Sequence, residues 1–552
     1  MSADPENAFE GLRDELNISE DEFSDSVPSE MLQSLLVRAI RAKDPEQTLG
    51  HFRDAVNASQ LLYEMDVVAA IPILLPLSYA TVNGLLDIIS TRCNAKELVV
   101  AAQECTERLQ GIHCYYNESD DDTANIEASL GRQTERLLKI YTQAIPRLRK
   151  GKQTSEDILK PIFSQLNTLL SHNAPNYTPQ DAQDILLQTA ELVRFVAPWA
   201  ADSQLGDADP PTDMFYKLIT HSLEVFANQL DAGIAQRAFE KQYPRLIMPN
   251  QESSSELTGR GCDIVHNTWA ILRQIDISEN RIVMYPSIGN LILLAHSSNT
   301  PTLSTLETFL PVMLTSIQTN TALAETLALL LSTLGPLHTQ IPRPTLSPDI
   351  AVPLAHILPH LAAAHPDADM RHISFRVLGL VLALAPALLQ LQLLGDMLAD
   401  PDTPAQMHVS GVSLVKEAVL EGLSRDEPSP FASPAFMDVF SSLLFRPNLP
   451  EARDIEQSLQ EFLESPEPSR LVEALGLLFV LLRRDATNRT GVRSSDALRI
   501  IRSAFLMPIK EHLEAWGEVD LEESEEAGMQ MRILEMWVQR VLDTVKGIEQ
   551  GL

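Results

Sequence analysis

The sequence predicts an all-α fold, an α-solenoid of antiparallel helical pairs that follows an acidic disordered N-terminal tail. Three observations predict it. Apolar residues, 45% of the 552, recur at the three-to-four-residue spacing of a helix face in one segment after another. Leu and Ala fill these positions while aromatics make up only 5%, which favours helices packed on helices over sheets. No stretch of convincing length alternates with period two, and short breaks between modest helices imply antiparallel neighbours.

Residues 1–28 are acidic and poor in large apolar groups, hence the disordered tail. Met1–Glu30 holds ten acidic residues and one basic one, unlike a signal or transit peptide. Helical periodicity begins at Glu30, with Leu32, Leu35, Leu36 and Ile40 on one stripe and Ser29 as the expected N-cap. Helical segments continue at Gln60–Tyr63, Val67–Leu75, Val82–Ser90 and Ala95–Leu109, with Asn94 to cap the last. Tyr115–Thr123 breaks the pattern and reads as an exposed loop. Ile126–Ile145, Thr154–Ser171, Pro179–Ala197 and Pro211–Leu230 follow. Pro179 and Pro211 suit a first helical turn, where a missing N–H costs nothing.

The polar stretch Asn250–Gly259 separates an N-terminal helical region, 29–249, from a C-terminal one, 260–552. The latter reads as helices at Asp263–Ile275, Val283–Ala295, Thr305–Gln318, Leu323–Leu334, Ile350–Ala364, Arg371–Leu398, Met407–Leu423, Pro434–Phe445, Ile455–Leu463, Ser469–Leu482, Ser495–Glu514 and Met529–Gly547. No strict repeat consensus emerges, so the pairs are irregular and HEAT-like.

A formal charge of −33 argues against nucleic acid as the main ligand and suits cationic or mixed-charge protein partners. The four cysteines, Cys93, Cys105, Cys114 and Cys262, form no C-x-x-C or zinc-type spacing, which places the chain in a reducing compartment, the cytoplasm or also the nucleus. Cys93 lies beside Arg92 and near Lys96, so it reads either as a redox-active thiol or as a small core residue. The apolar run Val377–Leu394 contains Pro386, Gln390 and Gln392 and falls short of the roughly 20 residues of a bilayer crossing. His356 and His360 could share a helix face with His365 nearby, but Pro359 intervenes and His-Glu-x-x-His is missing. Thr258-Gly259-Arg260-Gly261-Cys262 lacks the Lys-Ser/Thr of a phosphate loop and reads as a connector. No catalytic constellation survives, so neither an enzyme nor a cofactor is expected.

Charge is the strongest local signal. Arg470–Lys510 carries eight basic residues against three acidic ones, and the next eighteen positions carry eight acids and no Lys or Arg. Juxtaposed basic and acidic surface suits docking to a protein. A second basic cluster, Arg132, Arg136, Lys139, Arg147, Arg149, Lys150 and Lys152, reads as a solvated face or a second contact area.

The same region carries a resemblance. Ala474–Gly491, an apolar helix ending in an Asp485…Asn488-Arg489-Thr490-Gly491 turn, is similar to the end of glomulin. Phe505–Glu514 resembles that family's Phe-Leu-x-Pro-Leu helix, and Met529–Ile548 stands where its last helix is expected. Asn94-Ala95-Lys96-Glu97-Leu98 resembles an Asn-Pro-Lys-Glu-Leu helix start, with Ala95 in place of proline. The chain thus resembles the family that joins glomulin, the plant aberrant lateral root formation protein and the fungal YAP-binding proteins.

That resemblance implies a non-catalytic HEAT-like scaffold, expected as a monomer. Glomulin-like members bind the RING subunit of cullin–RING ubiquitin ligases with their C-terminal region and cover the surface a ubiquitin-conjugating enzyme would use. Here the partner-binding end is about 470–545. Its expected contacts are Arg483, Arg484, Arg489, Arg493, Arg499, Arg502 and Lys510 for charge, with Trp516, Trp537 and Met536 as apolar anchors. Leu534, Val538, Val541, Leu542 and Val545 read as the inward face of the last helix. The alternative is the YAP-binding branch, a scaffold for a stress transcription factor and its peroxidase, with the peroxidase supplying the chemistry.

Overall fold

Helix follows helix in the computed structural model, which describes residues 12, 16, 27–58, 60–111, 128–202, 211–230, 232–246, 258–425, 427–450, 455–517 and 525–551. Among these residues there is no β-strand, as the sequence predicts. The acidic tail, the loop at Tyr115–Thr123 and the dividing stretch Asn250–Gly259 lie almost wholly outside the described residues. Contacts group the chain into two compact units, 1–234 with 248–298 and 235–247 with 299–552.

The first unit contains α1 (Pro28–Ile40), α2 (Pro45–Ala58), α3 (Val67–Leu74), α4 (Ala80–Arg92), α5 (Ala95–Gln110), α6 (Leu130–Ala144), α7 (Ser155–Asn173), α8 (Pro179–Ala201) and α9 (Thr212–Val225). After α10 (Ile234–Gln242), which belongs almost entirely to the second unit, the first resumes with α11 (Thr258–Gln274), α12 (Glu279–Met284) and α13 (Ile288–Ala295). Even-numbered helices α2, α4, α6 and α8 stack in one row that continues to α11. The odd-numbered α1, α3, α5, α7 and α9 stack in a second row that continues to α13. From α1 to α7 each helix therefore meets its next-but-one neighbour, which needs apolar residues on more than one side.

Local chemistry sets the helix ends. The Asn94 side chain accepts from Lys96 N and caps α5 as expected, while Thr178 and Asp181 close a reciprocal capping box at the start of α8. Ser29 is not a cap: α1 starts at Pro28, whose fixed φ already suits a first turn. Pro211 stands one place before α9, not within it. Arg136, from the second basic cluster, is buried and donates to the Leu75 and Leu77 carbonyls at 2.8 and 2.6 Å and to Asn83 Oδ1. Burial lowers its pKa to about 10. Thr258–Cys262, expected as a connector, is instead the first turn of α11. Gly261 permits it, since a Cβ there would lie 2.0 Å from the Leu230 carbonyl oxygen.

The second unit runs through α14 (Leu303–Thr319), α15 (Leu323–Thr339), α16 (Pro348–Ala364), α17 (Ala368–Leu384), α18 (Ala387–Ala399), α19 (Ala405–Ser424), α20 (Ala435–Leu444), α21 (Ile455–Glu464), α22 (Glu467–Arg484), α23 (Ser495–Ile501), α24 (Met507–Trp516) and α25 (Glu525–Gly551). α14, α16, α18 and α20 form one row, and α19, α22 and α25 another. The expected single helix Arg371–Leu398 is two helices. Pro386 forces extended backbone on Ala385 (φ −66°, ψ 152°) and divides them. No described helix is long and apolar enough to cross a membrane.

Close packing at glycine gives a stability test. A Cβ at Gly289 would stand 2.2 Å from the Thr220 carbonyl oxygen, whereas one at Gly476 in α22 meets nothing within 4 Å. Gly289→Ala should lower stability by about 1–3 kcal/mol. Gly476→Ala should raise it by about 0.5–1 kcal/mol through helix propensity. Urea denaturation of both variants measures the difference, and the opposite order would contradict this packing.

Candidate protein-binding surface

The basic segment after α22 is organised by one buried acid. Asp485, 1% exposed, follows the last residue of α22, and its carboxylate accepts from Arg489 N (2.7 Å), Thr490 N (2.8 Å) and Thr490 Oγ1 (2.6 Å). Asn488 adopts φ 57° and Gly491 φ 80°, both left-handed, and Asn488 Oδ1 accepts from Arg493 N at 2.8 Å. Asn and Gly tolerate that backbone better than other residues. The Asp…Asn-x-Thr-Gly motif is therefore a self-bonded turn that joins α22 to α23.

The predicted contact residues separate into three groups. Arg489 reaches back to the Leu423 and Arg425 carbonyls (3.4 and 3.3 Å) and closes the end of α19, as a basic residue at a helix C-terminus does. Arg493 donates to Ala486 O at 3.0 Å within the turn. Arg470, in the same basic segment but not among the expected contacts, is held by both Glu467 oxygens, at 2.7 and 2.6 Å, and by carbonyls at the end of α20. These guanidiniums bind the protein's own backbone.

Trp516, expected as an exposed anchor, is instead core. It is 2% exposed, with its ring 4.7 Å from that of Phe462 and 5.3 Å from the His512 imidazole. Burial of so large a ring contributes more to the α21–α24 packing than an exposed position could.

The remaining residues face outward. Arg499 pairs with Asp496, Lys510 with Glu514 and Arg502 with Glu549, at 2.8, 3.3 and 3.5 Å, all exposed enough for water to screen them. Between Arg499 and Lys510 the helix widens into one π-helical turn, Arg502–Leu506, just before Pro508, which cannot donate to Ala504. Arg484 is exposed and has no ion pair among the described residues. Where α22 meets α25, Phe479 and Trp537 pack edge to face at 5.9 Å. The Arg483 guanidinium lies 5.6 Å from the Phe479 ring centre, and Arg540 lies 4.5 Å from Phe479 and 5.3 Å from Trp537. Trp537 is thus half-buried, with cations over its neighbourhood.

α25 shows two faces. Leu534, Val538, Val541, Leu542 and Val545 are buried, as expected. Met529, Ile533 and Met536 are 59%, 38% and 51% exposed and recur at i, i+4 and i+7, so they form one outward apolar stripe. Arg532 and Arg540 rise from the same helix. Met536 is among the residues expected from the sequence; Met529, Ile533, Arg532 and Arg540 are not, although they share its helical spacing.

The cysteines divide by burial. Cys93 and Cys105 are 3% exposed, and burial pushes both thiols up to about 11 despite nearby arginines. Cys93 Sγ donates to the Leu62 carbonyl oxygen at 3.4 Å. Cys114 lies outside the described residues. Cys262 is half-buried, with Sγ 3.5 Å from His266 Nδ1 and 3.7 Å from His296 Nδ1. Among the described residues no group of three or more His, Cys, Asp or Glu is placed to hold a metal ion.

A family model described as "Uncharacterised protein family, YAP/Alf4/glomulin" matches residues 213–539, more than half of the chain. No curated protein matches.

Two outcomes follow from these environments. Asp485→Ala strands two N–H groups and a hydroxyl, so it should lower stability by about 2–4 kcal/mol in urea denaturation. Retention of wild-type stability would refute the organising role of that carboxylate. Iodoacetamide at pH 8 should modify Cys262 well before Cys93 or Cys105, because only thiolate reacts; peptide mapping over time reads the order.

Proposed function

The chain belongs to the YAP/Alf4/glomulin family, and we propose that it is a non-enzymatic scaffold, an irregular HEAT-like α-solenoid whose carboxy-terminal end binds and restrains a cullin–RING ubiquitin ligase. The observation that carries this reading is the outer surface of α22 and α25. There the stripe Met529, Ile533 and Met536 lies on the helix that also bears Arg532, Arg540 and half-buried Trp537, with Arg483 and exposed Arg484 on the helix packed beside it.

Exposed apolar residues rimmed by polar groups mark interaction surfaces, and aromatic, Met and Arg side chains are enriched in them. A RING domain presents a zinc-bound surface of mixed charge. The stripe would supply apolar burial, while Arg484 and Arg532 would meet acidic groups and fix register. The solenoid reading rests on the two rows of next-but-one helix contacts in the first unit, the pattern of stacked helical pairs. Arg489 and Arg493 act in this scheme by shaping the turn, not by touching the partner.

Binding of the purified protein to a purified RING subunit tests the proposal. Met536→Glu combined with Arg484→Glu should weaken binding at least tenfold, equivalent to about 1.4 kcal/mol or more. Both side chains are exposed, so thermal stability should stay within about 0.5 kcal/mol of wild type. No binding by wild type, or equal binding by the variant, would overturn it.

A further inference from the structure

The second basic cluster, which the sequence leaves as a solvated face or a second contact area, is partly reassembled by the fold. Arg136 is buried and Lys139 pairs with Glu135 at 2.7 Å, so neither serves an external ligand. Arg147, Arg149, Lys150 and Lys152 lie instead on the connection from α6 to α7. Together with Lys96 on α5, they line a groove of about 760 Å³. It lies within the first unit, outside the residues matched by the family.

The groove's lining combines basic and apolar side chains. Arg147 is held by the Cys93 and Ser90 carbonyls, and Lys150 by the Ala200 and Asp202 carbonyls, with its ammonium 5.1 Å from the Trp199 ring centre. These two are tethered and shape the wall. Lys96, Arg149 and Lys152 are exposed and have no ion pair among the described residues. Asp157, the one carboxylate lining the groove among the described residues, is turned back onto Thr154 N and Oγ1 in a capping box. Val100, which is 40% exposed, Pro161 and half-buried Ile158 give the apolar surface, with Val99 and Ile162 buried beneath them.

Three cations without an ion pair among the described residues stand out in a chain with 75 acidic and 42 basic residues. Surplus carboxylates elsewhere on the surface would ordinarily repel an acidic ligand, so this groove is a local reversal of sign. Both adjoining helix starts are already capped by their own side chains, and the attraction for an anion comes from Lys96, Arg149 and Lys152. The valines, isoleucines and proline between them ask for apolar side chains as well.

We propose that this groove binds an acidic, leucine-containing segment of a partner protein, independently of the carboxy-terminal surface. Carboxylates of the segment lie along Lys96, Arg149 and Lys152, and its aliphatic side chains cover Val100 and Pro161.

The test uses full-length protein and a fluorescein-labelled 12-residue peptide of glutamates interspersed with leucines. Fluorescence anisotropy should show saturable binding that weakens as salt rises. The variant Lys96→Glu, Arg149→Glu, Lys152→Glu should bind at least tenfold more weakly. Val100→Asp alone should also weaken binding, which separates the groove from diffuse charge. Circular dichroism and thermal melting confirm that both variants are folded. Equal binding of the triple variant, equal binding of the peptide with lysine for every glutamate, or equal binding of a leucine-free glutamate peptide would each overturn the proposal. So would tighter binding of a single-stranded oligonucleotide of the same charge.

Discussion

The structure depends on helices that bury apolar residues on more than one side. In the first unit every second helix stacks on the one before, so an interior helix must satisfy a row neighbour on each side and a partner across. α15, in the second unit, shows the same demand: Leu323, Thr326, Ala328, Leu329, Leu331 and Leu334 are all buried, and together they reach most of the way round the helix. Unbranched and γ-branched side chains meet this need without crowding the preceding turn, which is why Leu and Ala dominate. Where rows come closest, even Cβ atoms are excluded, as at Gly261 and Gly289. α25 is different. One of its faces packs inward while another keeps Met529, Ile533 and Met536 in water, and this inequality makes its outer surface a candidate for recognition.

Polar groups inside such a frame are used locally. Asp485 gathers a turn around itself, Arg489 closes α19, and Arg136 collects two carbonyls beyond α3. Each satisfies backbone that would otherwise be buried without a partner. Much of the positive charge that makes the sequence look like a contact surface is therefore already committed. What stays outward is a smaller set, and its members stand beside exposed apolar side chains.

The helices were legible because apolar spacing is a local property, and so were caps such as Asn94 and Thr178, whose partners lie two or three residues away. The division at Pro386 is marked in the sequence only by the proline itself, because Leu and Ala at helical spacing resume directly after it and keep the apolar pattern going around Gln390 and Gln392. Residue roles were harder still. Arg489 meets carbonyls 64 and 66 positions earlier, and Trp516 meets Phe462 in a different helix, so only the packing of α19 on α22 and α21 on α24 decides what each does. Charge counts along the chain report how many cations are present, not which of them have already found a partner within the fold.

The widened turn at Arg502–Leu506 has a geometric consequence of its own. In an unbroken α-helix Arg499 and Lys510, eleven residues apart, would project in nearly the same direction. One extra residue taken up by the turn retards everything after it by about 100° of azimuth. The two cations thereby fall out of phase, and a side of the helix that linear spacing would have made uniformly positive becomes two separate bearings.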